Sequence, residues 1–159
     1  MRHHSERVPG KNYRPFAGRP LYHHIVESLL DCPSIAEVVI DTDSPVIMED
    51  APRHFPKLRL IQRPEHLTAD TTPMNDVLLH DISKVQSDYY LQTHSTNPLV
   101  QAETIERALQ QFMENYPVRL CCRVLGEVPA SVGGHRALDV VRRRPTLGPR
   151  KFCQIHGEL

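Results

Sequence analysis

The sequence predicts an α/β fold, with a mostly parallel sheet covered by helices on both faces. Two observations lead there. Short apolar runs rich in β-branched or aromatic residues alternate with segments whose apolar residues recur at helical spacing. Each such run then empties into a polar segment, at residues 41–44, 63–70 and 92–97. Polar segments of that kind gather along one rim when the strands before them are parallel, and ligands bind at that rim.

The elements follow in order. Leu21, Ile25, Leu29 and Leu30 fall at helical spacing and predict a helix over residues 21–30. Val38-Val39-Ile40 predicts a buried strand ending at Asp41-Thr42-Asp43. Ser44 can cap a short helix that begins at Pro45 and ends at Pro52 or Pro56. Leu58-Arg59-Leu60-Ile61 predicts a second strand. Met74, Val77, Leu78 and Ile82 stripe the next helix, with Thr71-Thr72-Pro73 at its start. Tyr89-Tyr90-Leu91 predicts a third strand opening into the loop 92–98, and Ala102, Ile105, Ala108, Leu109 and Phe112 stripe a last helix.

Bulk properties narrow the function classes. The 159 residues carry a net charge of 0 and are 40% apolar, which favours neither nucleic-acid binding nor disorder. No apolar run approaches the roughly 18 residues that span a bilayer, and the N-terminus lacks the apolar core of a secretory signal. Cys32, Cys121, Cys122 and Cys153 show no C-x-x-C spacing, so reduced thiols and a cytoplasmic location are expected. Neutrality hides an asymmetry. Residues 1–117 hold 11 Lys/Arg against 16 Asp/Glu, whereas residues 118–159 hold 8 against 3. We therefore expect a domain over 1–117 and an atypical basic tail over 118–159. The tail contains Val132-Gly133-Gly134-His135 and Arg142-Arg143-Arg144-Pro145 but no alternating strand pattern. A reading frame shifted near Val118, or a disordered tail, would account for it.

The first fifteen residues concentrate chemistry. Arg2, Ser5, Arg7, Lys11 and Asn12 surround a Pro9-Gly10 turn, offering cations, a hydroxyl and backbone N–H groups to one anion. Such a loop can wrap a polyphosphate, and it can equally be a solvated basic terminus. The run Ser5-Glu6-Arg7-Val8-Pro9-Gly10-Lys11-Asn12, then Arg14-Pro15, Ala17-Gly18 and Pro20-Leu21, resembles the nucleotide-binding loop of the acylneuraminate cytidylyltransferases, the CMP-sialic acid synthetases and their relatives. Thr42-Asp43, Arg63-Pro64 with Leu67 and Asp70, Asp76-Val77, and Leu91-Gln92 leading to Ser95 and Pro98-Leu99 continue the likeness in the family's order, over roughly three quarters of the chain.

The resemblance implies a Rossmann-like, three-layer nucleotide-diphospho-sugar transferase fold. It implies transfer of CMP from CTP to a sialic-acid-like 2-keto sugar acid with release of pyrophosphate, in a homodimer using Mg²⁺. Arg2, Ser5 and Lys11 would hold the triphosphate, Arg2 and Lys11 thereby serving catalysis. Asn12 would contact base or ribose, Arg63 would add a nucleotide contact, and Gln92 and Ser95 would lie between nucleotide and acceptor sugar. Arg63 could instead pair with an acid such as Glu65, and Gln92 could simply end a strand. The family's first strand, which precedes this loop, and its metal-binding acids have no match here. We therefore expect the first strand to be missing, as if the chain began at an internal methionine of a longer frame, and activity to be poor or absent. No metal ligand is named. The loop 92–98 is two residues longer than the family's usual Gln-Pro-Thr-Ser-Pro run, and Val100 stands where Arg is usual. Asn12 after Lys11 favours the sialic-acid-like branch over the Kdo branch, which tends to carry proline there.

Two other classes compete. One is a non-catalytic nucleotide-binding or regulatory fragment. The other is a metal-dependent sugar-nucleotide glycosyltransferase using Asp41 and Asp43, since Asp-x-Asp after a strand can hold a divalent cation. The ten histidines show no structural zinc spacing.

Overall fold

The computed structural model describes residues 1–5, 8–115, 139–142 and 152–156. A two-residue hairpin, β1 (Pro15–Phe16) and β2 (Arg19–Pro20), turns through Ala17 and Gly18, both at positive φ. Then come α1 (Leu21–Leu30), β3 (Ile35–Thr42), α2 (Pro45–His54), β4 (Arg59–Gln62), α3 (Met74–Lys84), β5 (Tyr89–Thr93) and α4 (Ala102–Asn115). Two further strands follow, β6 (Asp139–Arg142) and β7 (Phe152–His156). Every helix and strand expected between residues 21 and 115 is present. Ser44 accepts the Ile47 N–H as N-cap of α2, Pro52 is tolerated inside the last turn, and Pro56 lies just beyond the end.

The five-stranded sheet has the order β4-β3-β7-β5-β6, parallel except for β6. Alternation along β3 assigns its two faces. Val38 and Ile40 pack with Ile25, Val26 and Leu29 of α1, Ile47 and Ala51 of α2, and Ile105 and Leu109 of α4. Val39 points the other way, packing with Ile61, Val85 and Tyr90 and with Leu78 and Ile82 of α3. The three layers are thus α1, α2 and α4, then the sheet, then α3. No helix among the described residues is long and apolar enough to cross a membrane.

The sheet departs from expectation at its centre. Phe152–His156 lies between β3 and β5, parallel to both, and β6 pairs antiparallel with β5. In a doubly wound sheet that central position belongs to the strand preceding the phosphate loop. Here a segment of the tail fills it, although residues 118–159 show no alternating strand pattern in sequence. Local patterning missed them because Phe152-Cys153-Gln154-Ile155-His156 lacks the β-branched run that marked β3, and its partners lie about sixty residues or more away. The expected boundary at residue 117 and the Val132–Gly134 run lie outside the described residues.

The turn after α1 is tied to α4. Glu106 accepts hydrogen bonds from the Cys32 thiol (2.9 Å), the Ser34 N–H (3.2 Å) and the Ser34 hydroxyl. The Cys32 bond first, then the Ser34 hydroxyl, hold the Glu106 carboxyl below its ordinary pKa. Burial, then Glu106, pushes the Cys32 thiol up to about 12.

Two predictions follow from these contacts. Ile155 pairs with Val39 on one side and Gln92 on the other, so Ile155→Pro removes a ladder donor from the middle of the sheet. It should destabilise the protein by ~3 kcal/mol or more in urea unfolding. An unchanged unfolding midpoint would contradict the central placement. A lowered carboxyl pKa adds stability above its unfolded value, lost as pH falls through the folded one. Glu106→Gln should therefore lower stability at neutral pH and flatten the loss between about pH 5 and pH 3. Parallel pH profiles for variant and parent would contradict this.

Candidate functional site

The N-terminal loop docks across the carboxyl end of β3. The backbone nitrogen of Met1, itself buried, donates to the Asp41 carbonyl. The His3 N–H donates to Asp43 Oδ1 at 2.7 Å, and its Nδ1 lies 2.9 Å from the Ser44 hydroxyl. The His3 ring stacks on Tyr13, with centroids 5.4 Å apart and planes at 21°. Ser5 accepts the Val8 N–H at 3.4 Å. Gly10 follows at φ +64°, where a Cβ would meet the Tyr13 ring at 2.7 Å, so the turn requires glycine. A single 3₁₀ turn, Lys11–Tyr13, completes the loop.

Asn12 closes it. The side chain is 1% exposed, and its Nδ2 donates to the Arg2 carbonyl at 2.9 Å. Its Oδ1 accepts from the Ser95 hydroxyl at 2.6 Å. One amide therefore joins both ends of the N-terminal loop to the loop after β5. Gln92 is buried near the end of β5, three residues before Ser95. Lys11 is half-buried on the 3₁₀ turn.

Arg2 and Arg63 line one pocket together with Leu67, Asp70, Thr72 and Met74. At its mouth Arg2 Nη1 pairs with the half-exposed Asp70. Arg63 does not pair with Glu65. It is 4% exposed, its N–H donates to the Thr42 carbonyl at 2.9 Å, and its Nε donates to Asp41 Oδ1. Arg2, Asn12 and Ser95 are thus joined by hydrogen bonds, Arg2 and Arg63 share a pocket, and Ser5 and Lys11 lie on the loop that Asn12 closes.

The strand alternation that faces Val39 toward α3 does the same for Asp41. His80 Nδ1 of α3 lies 3.7 Å from Asp41 Oδ2 and 3.5 Å from Asp81 Oδ1. Both carboxylates are fully buried, and Asp41 Oδ2, His80 Nδ1, both Asp81 oxygens and Arg63 Nη2 have no hydrogen-bond partner. Burial first, then the Asp41 carboxylate, pushes the Asp81 carboxyl well above its ordinary range. Sequence reading missed this cluster, although a signal exists. Val77, Asp81 and Val85 fall at i, i+4 and i+8, placing an acid in the buried stripe of α3. A second group, His23, Asp50 and His54, is satisfied differently. Tyr22 donates to Asp50 Oδ2, which also lies 2.6 Å from His23 Nε2. Burial raises the Asp50 carboxyl, but the Tyr22 and His23 bonds outweigh it and leave the pKa lowered.

Among the described residues, no ligand set for Mg²⁺ gathers at the pocket. Mg²⁺ needs carboxylate oxygens free to face the phosphates. Asp70 is held by Arg2, and Asp43 accepts from His3. Neither belongs to a convergent group of metal-ligating side chains among the described residues. Asp41 and Asp43 likewise direct their carboxylates to different partners, Arg63 and the His3 N–H, and do not form a joint cation site.

Similarity to known proteins agrees with this architecture. The family model described as Cytidylyltransferase matches residues 1–147. The 3-deoxy-manno-octulosonate cytidylyltransferase of Escherichia coli is 27% identical over 132 residues, 82% of this chain and 51% of that protein. The CMP-N,N'-diacetyllegionaminic acid synthase of Legionella pneumophila is 32% identical over 111 residues, 67% of this chain and 47% of the relative. A pseudaminic acid cytidylyltransferase of Campylobacter jejuni is 29% identical over 116 residues, 70% and 50% respectively. The chain spans about half the length of these relatives. In three dimensions it superposes on CMP:2-keto-3-deoxy-manno-octonic acid synthetase, solved in complex with CTP, with a TM-score of 0.65 at 20% identity. That match covers 89% of this chain and 71% of the other, and it shows the fold. With a doubly wound sheet, an ordered N-terminal loop at its rim and a family match over most of its length, the chain belongs to the cytidylyltransferase family.

Proposed function

We propose that this protein binds CTP at the rim formed by the N-terminal loop and the loop after β5, and that its parent activity is transfer of CMP to an acidic 2-keto sugar with release of pyrophosphate. The observation that carries the reading is the Asn12 bridge, which holds Arg2 and Lys11 on one closed loop beside the Arg2–Arg63 pocket. The relatives named above act on 3-deoxy-manno-octulosonate, pseudaminic acid and diacetyllegionaminic acid, which supports an acidic nine- or eight-carbon sugar as acceptor. A sialic-acid-like acceptor, a homodimer and a cytoplasmic location complete the proposal.

In-line displacement at phosphorus needs positioning and charge neutralisation more than covalent chemistry. Arg2 presents a fork to phosphate oxygens and Lys11 a point charge, while Ser5 and the backbone N–H groups of the Gly10 turn add donors. For Arg2 to serve, its guanidinium must leave Asp70, an exchange of one exposed carboxylate for a phosphate. Gln92 and Ser95 sit where nucleotide and sugar would meet. Arg63, fixed on Asp41, lines the pocket wall and adds positive charge beside the nucleotide. Mg²⁺, when bound with CTP, supplies further neutralisation of the phosphates.

A second reading rests on the described residues, among which no ligand set for Mg²⁺ gathers at the pocket: a nucleotide-binding protein that does not turn over. Calorimetry with CTP and Mg²⁺ tests the first half of the proposal. Saturable binding is expected, weakened about tenfold or more by Lys11→Ala and by Arg2→Ala, the loss of one charge-assisted contact each. No binding by a folded chain would contradict it. Pyrophosphate release on adding 2-keto sugar acids then separates the readings. We expect slow or absent release, and turnover at the rate of a full-length relative would refute the expected impairment.

A further inference from the structure

We infer that Asp41, His80 and Asp81 form a buried site for one divalent transition-metal ion of the zinc type, set between the sheet and α3. The inference stands on its own geometry and not on the nucleotide reading. Asp41 is the β3 residue that faces α3, and His80 and Asp81 are consecutive on that helix. Their ligand atoms all lie within 4.8 Å of one another. His80 Nδ1 lies 3.7 Å from Asp41 Oδ2 and 3.5 Å from Asp81 Oδ1 and makes a hydrogen bond to neither. A tetrahedral ion with bonds of about 2.0–2.2 Å holds its ligand atoms about 3.3–3.6 Å apart. The two gaps from His80 lie near that spacing.

The partner accounting points the same way. Asp41 and Asp81 are fully buried, yet Asp41 Oδ2 and both Asp81 oxygens lack a hydrogen-bond partner, as does His80 Nδ1. Two carboxyls buried this close do not both stay ionised without a cation, and a metal ion would take the place of the proton that burial and Asp41 hold on Asp81. Arg63 engages the other oxygen of Asp41, Oδ1, which is how a metal-bound carboxylate is commonly oriented. One imidazole nitrogen with two carboxylates suits zinc and its neighbours better than Mg²⁺, which prefers oxygen and retains water. The other cluster, His23, Asp50 and His54, differs because Tyr22 and His23 already bond Asp50. An ion at Asp41 would join β3, α3 and the Arg63 segment behind the Arg2–Arg63 pocket.

The test uses the whole chain, stripped with a chelator and titrated with Zn²⁺, with Co²⁺ as a spectroscopic substitute. Uptake near one equivalent is expected, with a rise in the thermal midpoint and visible Co²⁺ bands of tetrahedral intensity. Asp81→Asn and His80→Gln should each weaken uptake at least tenfold, and His54→Gln should leave it unchanged. In chelator, Asp81→Asn should melt no lower than the parent, because it exchanges a buried carboxyl that has no metal for an amide of the same shape. Four outcomes would overturn the site: no saturable uptake by a folded chain, uptake indifferent to Asp81→Asn, uptake lost with His54→Gln, or an Asp81→Asn variant destabilised in chelator.

Discussion

The site depends on one side-chain amide. Asn12 gives its N–H to the Arg2 carbonyl and takes the Ser95 hydroxyl, so a single buried group sets the loop's closure and its attachment to β5. Neither partner can be exchanged cheaply. Aspartate would offer no donor to Arg2, and an apolar residue would leave a buried carbonyl and hydroxyl to find other partners, at about 1–3 kcal/mol each if none is found. The remaining docking contacts, from Met1 to the Asp41 carbonyl and from His3 to Asp43 and Ser44, align the same loop along β3. Cations that would otherwise fray at a chain end are thereby held over the rim.

The sheet supplies the second constraint. Period-two alternation sends Val38 and Ile40 to one helical layer and Val39 and Asp41 to the other. Asp41 is thus at once the last apolar-facing position of its strand and the acceptor for Arg63, so the pocket wall and the core share a residue. Parallel order places the ends of β3, β4 and β5 on one edge, where residues separated by up to 83 positions become neighbours. The N-terminal loop, the Arg63 segment and the loop after β5 meet there for topological reasons.

Much of this was legible in the sequence. β3 and β5 announce themselves because strands buried on both faces must be apolar throughout, and α1, α3 and α4 because a buried stripe recurs every three to four residues. Ser44 capping α2 was readable from type and place. The short pieces were not: the hairpin around Ala17-Gly18 has two-residue strands, too brief for any period. β7 was hidden for another reason, since its five residues carry no distinctive pattern and its position is fixed by partners far along the chain. At the site, residue types foretold which side chains would gather, but not how they would pair. Arg63 reads from its type and place as a nucleotide contact, or alternatively as a partner of nearby Glu65, whereas strand geometry gives it Asp41. Asn12 was read as a ligand contact, and its two hydrogen bonds within the protein depend on a fold that local sequence does not encode.

The central claim is that Asn12 and Ser95 act as one unit in assembling the nucleotide rim. A double-mutant cycle of Asn12→Ala and Ser95→Ala, read by CTP affinity and by urea unfolding, tests it most directly. The account predicts that each single change weakens binding and that the double variant is little worse than either, a coupling of about 1 kcal/mol or more. Additive effects in both readouts would mean that the two residues act separately and that something else holds the loop.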